Sequence, residues 1–115
     1  MLVVVSPAKK LNMSLVEGLN VSEPYFKENV DELVNIVRDL SLKELQNLMD
    51  ISTNLAELNK KRFSEFGHQQ KKAAAFASAG DTFKGLRVEK LEKNDLEFAQ
   101  KHLRIISGLY GLLRP

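Results

Sequence analysis

The sequence has 115 residues, 43% of them hydrophobic and 28% charged, and a formal net charge of +2. This composition is typical of a soluble globular protein with one modest core, and it excludes a disordered chain. The absence of cysteine excludes disulfides, thiolate metal sites and thiol chemistry. Neither a signal peptide nor a membrane span is evident, so we expect a cytoplasmic chain in which 1–115 is a single domain or part of a larger one.

Residues 2–5 form a β-branched run that is typical of a short strand buried on both faces of a parallel sheet. The loop that follows, residues 6–10, lies where ligands usually bind in such sheets. Ser6 offers a hydroxyl group and Lys9 a positive charge to a phosphate or carboxylate. The loop lacks the glycines of a P-loop, and a solvated connection with two surface lysines is the simpler interpretation.

The first predicted helix covers residues 24–40. Residues 12–21 before it have no clear period and are predicted to be a loop. The helix start is indicated by Ser22 and Glu23 before Pro24, which is favoured in the first turn. Its apolar positions keep helical spacing and are Phe26, Val30, Leu33, Val34 and Val37.

Two further helices follow, each with its own start signal. Ser41 and Glu44, three residues apart, form a capping box. Either Ser52 or Thr53 caps the next helix, and Gly67 ends it. The predicted ranges are 42–50 and 53–66.

Basic residues cluster at Lys60–Arg62 and at Lys71–Lys72. Successive residues on a helix point in different directions, so these runs do not form one flat patch by themselves. A solvated face is the simpler interpretation, and phosphate contact is the alternative. His68 and His102 are far apart in the sequence, and the pattern predicts no metal site.

Residues 73–78 are small and apolar, and they are predicted to form a second short buried strand before Gly80. Alanine favours helix, but the run lasts only six residues. Asp81 is expected to cap the turn that follows, and a catalytic base is the alternative.

The strongest helical pattern covers residues 95–109, after the capping pair Asn94 and Glu97. It runs into Gly108 and Gly111. One interpretation is an ordinary helix C-terminus. The other is half of a helix-hairpin-helix, whose glycine turn offers backbone N–H groups to a phosphate. The apolar positions of this helix are Leu96, Ala99, Leu103, Ile106 and Tyr110.

Four motifs in chain order carry a resemblance to a known family. They are Ser6–Lys9, Leu48–Ser52 followed by Asn59, Arg62 and Phe63, Gly80–Leu86, and Leu103–Pro115. Over its whole length, and above all in the last motif, the sequence resembles the YaaA family of bacterial peroxide stress proteins.

The resemblance implies a mixed α/β fold with a basic cleft and a helix-hairpin-helix-like element. It also implies a cytoplasmic protein that binds DNA, helps cells survive hydrogen peroxide and limits damage linked to intracellular iron. Family members are more than twice as long, so the chain resembles their N-terminal part. We expect a sheet edge truncated in this way to associate with other chains. No cofactor or metal is expected.

Three functions are compatible with these patterns. The first is binding of duplex DNA without sequence preference, through phosphate contacts. The second is an enzyme acting on a nucleotide or nucleobase, with Ser6, Lys9 and Asp81 in the site. The third is an interaction module that docks through Leu109, Tyr110, Leu112 and Leu113. The residues predicted to contact DNA are Lys9, Arg104, Ser107, Gly108, Gly111 and Arg114.

Overall fold

Residues 1–14, 21–69 and 71–115 are described by the structure, a computed structural model. The chain divides into two compact units. The sheet unit comprises Met1–Lys27 and Gln70–Pro115, and the helical unit comprises Glu28–Gln69. Most of the loop predicted over 12–21 lies outside the described residues, while its described ends have no regular structure.

The sheet unit is organised around three short strands in the spatial order β1-β2-β3. The first two strands run parallel, with Val5 beside Ile105. The last two run antiparallel, with Ile105 opposite Leu113. The mixed α/β class is therefore confirmed. The strand bounds are Val3–Val5 for β1, Leu103–Ser107 for β2 and Gly111–Leu113 for β3.

Strand β1 was expected to be buried on both faces, and this detail is wrong. The side chains of Val3 and Val4 are exposed, and Val5 is half-buried. Of the three valines of β1, only Val5 packs against the buried core cluster.

The helix predicted over 95–109 is the largest correction. Helix α6 covers Lys93–His102, and the chain then becomes strand β2. Its capping box uses Glu92 and Asp95 rather than the predicted pair. The segment after His102 contains the β-branched pair Ile105-Ile106, and pairing with β1 on one side and β3 on the other overrides the helical spacing.

The terminal glycine turn lies between two strands rather than after a helix. Residues 108–110 connect two antiparallel strands and form a β-hairpin. The helix-hairpin-helix interpretation required a helix before the turn, and a strand occupies that place. The turn is not an ordinary helix C-terminus either, because α6 ends at His102 and strand β2 lies between that helix and the turn.

The strand predicted over 73–78 is wrong, although its burial is confirmed. Helix α4 covers Ala74–Ala77, and Ala75 and Ala77 are buried. The N–H of Ser78 donates to the carbonyl of Ala74 at 3.0 Å, as does its hydroxyl at 2.8 Å. The high helix propensity of alanine decides this short segment.

The remaining elements of the sheet unit complete its core. Helix α5 covers Asp81–Leu86, and a short 3₁₀ helix covers Val88–Lys90. One face of the sheet packs against them through the buried residues Ala75, Phe83, Val88 and Ile105.

The helical unit confirms the three predicted helices with shorter ends. The capping box before α2 is present, because the Glu44 N–H donates to Ser41 Oγ at 3.2 Å and the Ser41 N–H to Glu44 Oε1 at 3.1 Å. Ser52, rather than Thr53, caps α3 by accepting from the N–H of Leu55. The bounds are Lys27–Arg38 for α1, Leu42–Met49 for α2 and Thr53–Ser64 for α3.

No helix in the described ranges is both long enough and apolar enough to cross a membrane.

Candidate functional site

The candidate site lies at one end of the sheet. Strands β1 and β2 run parallel, so both end at the same edge. The loop at residues 6–10 leaves β1 there, and the hairpin turn at residues 108–110 leaves β2 there. Ligands in open α/β sheets bind outside the carboxyl ends of the strands. We name this region, residues 6–10 with 107–110, the carboxyl edge.

The loop after β1 is held against the segment that leads into α5. The N–H of Asn12 donates to the carbonyl of Ala77 at 2.7 Å, and the N–H of Ala79 donates to the carbonyl of Lys10 at 3.0 Å. A Cβ built on Gly80 would lie 3.1 Å from the Cβ of Ala8. Only a very small residue fits at Gly80, and this close approach brings the loop beside the start of α5.

Asp81 begins α5 and does not cap it with its side chain. The carbonyl of Gly80 accepts from the N–H groups of Phe83 and Lys84 instead. The Asp81 carboxylate is fully exposed and lies 4.0 Å from the Lys84 ammonium group. An exposed pair of this kind contributes little to stability. The capping role predicted for the Asp81 side chain is therefore wrong.

The hairpin turn has one open side and one packed side. Gly108 is exposed, and a Cβ there would meet nothing within 4 Å. Gly111 has a φ of 73°, and a Cβ there would lie 2.8 Å from Cδ2 of Phe26. Glycine is therefore needed at 111, because it allows the positive φ and leaves room for the ring of Phe26. Gly108 is accessible.

Ser107 and Tyr110 close the turn on each other. The Tyr110 N–H donates to Ser107 Oγ at 3.0 Å, so this main-chain donor is already used. Burial raises the pKa of the Tyr110 hydroxyl above its ordinary value of 10.0. Gly108, by contrast, is an exposed residue of the turn.

The two arginines do not flank the turn. Arg104 Nη1 donates to the carbonyls of Gln100 at 3.0 Å and Leu103 at 2.7 Å, which closes the end of α6. In an extended strand, Arg104 lies roughly 13 Å from Gly108, at about 3.3 Å per residue. Arg114 follows β3, which runs away from the turn, and it is exposed at the opposite end of the hairpin.

Two cations of the helical unit also bind main-chain carbonyls near helix ends. Arg38 donates to the carbonyls of Phe63 and Phe66 at 2.8 and 2.7 Å, and Lys60 donates to the carbonyl of Leu40 at 2.6 Å. This role of Arg38 has no signal in the sequence, because Phe63 and Phe66 lie more than twenty residues further along the chain. These residues border a cavity of about 420 Å³, lined by Val37, Arg38, Lys60, Phe63, Ser64 and His68.

In the second basic run, Lys72 binds the main chain and Lys71 forms an exposed ion pair. Lys72 donates to the carbonyl of Asn12 at 2.8 Å, and Lys71 lies 3.5 Å from the carboxylate of Glu23. Several cations thus bind main-chain carbonyls, namely Arg38, Lys60, Lys72 and Arg104. Lys9 and Lys10 are exposed at the carboxyl edge, whereas Lys61, Arg62 and Arg114 are exposed elsewhere.

Neither histidine belongs to a metal site among the residues that the structure describes. His102 stacks on Phe98 with ring centroids 4.2 Å apart, and its Nδ1 lies 2.9 Å from the carbonyl oxygen of Met1. Within the described ranges, no three His, Asp or Glu side chains converge on a point that could hold a metal ion.

Comparison with known proteins gives consistent matches over the whole chain. A family described as peroxide stress protein YaaA matches residues 1–115. A UPF0246 protein of Rickettsia felis is 45% identical over 116 residues, which cover 100% of this chain and 47% of that relative. UPF0246 proteins of Ruegeria pomeroyi and Crocosphaera subtropica are each 44% identical, over 46% of their length and 100% of this chain. The chain spans about half the length of the curated relatives it matches.

Proposed function

Because the chain belongs to the YaaA family of peroxide stress proteins, we propose that it binds duplex DNA without sequence preference as part of a peroxide stress response. The contacts are made at the carboxyl edge, where Lys9 and Lys10 neutralise phosphates and the main chain at Gly108 offers an N–H group. The observation that carries the proposal is the parallel pairing of β1 and β2, which puts this loop and this turn on one edge.

The chemistry of the edge fits a phosphate backbone better than a base. Phosphate contacts need accessible cations and N–H groups and carry no sequence information. Lys9, Lys10 and Gly108 are all exposed. Arg104 is omitted from the proposed contacts, because its guanidinium group already binds the end of α6. Ser107 and Gly111 shape the turn rather than touch DNA.

The test is the salt dependence of DNA binding. We expect Lys9→Ala with Lys10→Ala to weaken binding of a fluorescent duplex and to reduce the slope of log affinity against log salt by about 2, because each lysine that contacts a phosphate contributes about 1. The matched control is Lys43→Ala with Lys61→Ala, which removes the same charge from exposed positions of the helical unit. Equal slopes in the two double variants would remove the assignment.

A second candidate is an enzyme acting on a nucleotide or nucleobase. It is favoured by the close approach of Ala8 and Gly80, which brings the loop carrying Ser6 and Lys9 beside Asp81. In this function the Asp81 carboxylate acts as a base, Lys9 binds a phosphate and Ser6 orients the substrate.

Asp81→Asn distinguishes the two functions. DNA binding predicts unchanged or tighter affinity, because a negative charge near the phosphates is removed. Catalysis predicts that the turnover of deoxynucleoside monophosphates, followed by proton NMR of the base and phosphorus NMR of the phosphate, is present in the parent chain and lost in the variant. A parent chain without turnover would exclude the enzyme for these substrates.

A further inference from the structure

The cavity of about 420 Å³ within the helical unit is lined by two cations and by no carboxylate. We name it the helical cavity. Binding sites for small molecules are typically about 300–1,000 Å³ in volume, so the helical cavity has room for a small ligand. Its walls come from the end of α1, the second half of α3 and the segment after α3. They comprise the cations Arg38 and Lys60, the polar residues Ser64 and His68, and the apolar residues Val37 and Phe63.

The two cations are fixed by the fold and still have donors to spare. Arg38 donates through Nε and Nη2 to the carbonyls of Phe63 and Phe66, and Lys60 donates to the carbonyl of Leu40. A guanidinium group has five N–H donors and an ammonium group has three. Among the residues that the structure describes, Nη1 of Arg38 and two N–H groups of Lys60 therefore have no partner. Side chains that are already held in place lose little freedom when a ligand binds.

The positive charge of the helical cavity is not neutralised. Within the described ranges, neither Arg38 nor Lys60 forms an ion pair with a carboxylate, and Lys60 is half-buried. Carbonyl groups satisfy N–H donors but leave both charges in place. The pKa of Glu44 is lowered by its hydrogen bonds to Ser41 and, to a smaller extent, by Lys60, but Glu44 does not line the cavity. Two like charges on one cavity repel each other, and a bound anion would remove that repulsion.

We propose that the helical cavity binds a small phosphate monoester. Such a group carries a charge of about −1.5 to −2 near neutral pH and has three strong acceptor oxygens, which match two cations with spare donors. A carboxylate, with one charge, matches them less well. The exposed ring of His68 offers a further N–H donor, and Val37 and Phe63 give the organic group of the ester an apolar wall. The inference is independent of DNA binding, because the carboxyl edge belongs to the sheet unit.

The direct test is a titration of the 115-residue chain with phenyl phosphate, followed by NMR of the backbone amides. We expect saturable shifts at Arg38, Ser64 and His68, with a dissociation constant of about 1 mM or below. Phenol lacks the phosphate and should bind more weakly by about tenfold or more, because it loses the charge-assisted hydrogen bonds. Shifts confined to residues 6–10 and 107–110 would overturn the inference and leave the proposed DNA contacts intact.

A charge-removing variant tests the role of the cations. Lys60→Gln keeps an N–H donor but removes the charge, and it should weaken phenyl phosphate binding by about tenfold. The matched control is Lys61→Gln, which removes the same charge from the next residue of α3, at an exposed position outside the cavity lining. Equal affinity in these two variants would overturn the inference, as would equal binding of phenol and phenyl phosphate by the parent chain.

A second variant covers the case in which Lys60→Gln unfolds the helical unit. His68 is exposed and follows the end of α3, so His68→Ala should leave the fold intact. We expect it to weaken phenyl phosphate binding by about threefold, because one neutral donor is lost. An unchanged dissociation constant in His68→Ala, measured by the same titration, would also count against a phosphate in the helical cavity.

Discussion

The helices of the helical unit begin on contacts between near neighbours in sequence, whereas the sheet unit joins the two ends of the chain. Ser41 and Glu44 form their box within one turn. Val5, by contrast, pairs with Ile105, and the carbonyl of Pro115 accepts from the N–H of Ala75 at 3.1 Å. Local caps specify helices from sequence alone, while strand pairing depends on which distant segment is available.

Each unit contains an arginine that binds main-chain carbonyls at the end of a helix. Arg38 does this for the end of α3, and Arg104 for the end of α6. Cations are favoured at helix C-termini, where carbonyl groups lack partners. A basic residue near a proposed site is therefore evidence for anion binding only when its donors are accessible.

The largest expected effects come from the core of each unit. Ile105→Ala and Leu45→Ala each remove a side chain that is at most 2% exposed. We expect either change to lower the free energy of unfolding by about 2–5 kcal/mol. Hydrogen exchange of individual amides, together with urea unfolding, should show the loss of protection in β2 for Ile105→Ala and in α2 for Leu45→Ala. Equal loss throughout the chain in both variants would break the division into two units.

The helical unit could be predicted from the sequence more fully than the sheet unit. The helical unit was predicted almost completely, because Ser41, Glu44 and Ser52 are local signals. In the sheet unit, residues 103–107 satisfy both a helical and a strand pattern. The deciding partners are β1 and β3, whose pairing cannot be read from a window of neighbouring residues.

The candidate site was predicted in part for the same reason. Ser6 and Lys9 follow a strand, and this local order placed them at the carboxyl edge. Arg104 was assigned to the turn because a helix would have brought it close to Gly108, and the strand moves it away. The motif at residues 6–9 was expected to lie beside Gly80 and Asp81 because each was thought to follow one of two adjacent parallel strands. The segment before Gly80 is helix α4 instead, and the approach is made by Ala8 and Gly80.

Among the described residues, each unit has one glycine with positive φ, and substitution of the two by alanine should have different effects on the free energy of unfolding. Gly111→Ala has both a strained φ of 73° and a clash with Phe26, whereas Gly67→Ala has a φ of 95° and nothing within 4 Å. We expect a cost of about 1–2 kcal/mol for Gly67→Ala, from the left-handed backbone alone. Gly111→Ala should cost more, because Phe26 must also move.

The control is Gly108→Ala, which has open space around the added Cβ and no positive φ. Its free energy of unfolding should stay within about 0.5 kcal/mol of the parent chain. The three variants are compared by chemical denaturation. Equal costs for Gly67→Ala and Gly111→Ala would show that contact with Phe26 contributes nothing to the hairpin.

The smallest effect concerns two caps within the helical unit. Ser41→Ala and Ser52→Ala each remove one side-chain acceptor at a helix start, and each should cost about 1 kcal/mol. They differ in one respect, because only the first belongs to a capping box with a carboxylate. Chemical denaturation at neutral pH should show similar losses in the two variants.

Their pH dependence should differ. The backbone hydrogen bond from Ser41, followed by its side-chain hydrogen bond, lowers the pKa of Glu44 below the ordinary value of 4.5. A lowered pKa in the folded state means that the carboxylate stabilises the fold above about 4.5 and that this contribution is lost as pH falls through the lowered pKa. Ser41→Ala keeps the main-chain N–H and removes only the side-chain hydrogen bond. The pKa of Glu44, followed by carbon NMR of the carboxyl group, should therefore rise part of the way towards 4.5, and the stability deficit should shrink in acid. Ser52→Ala should leave the Glu44 titration unchanged, and an equal rise in both variants would mean that the carboxylate responds to the helical unit as a whole rather than to its own cap.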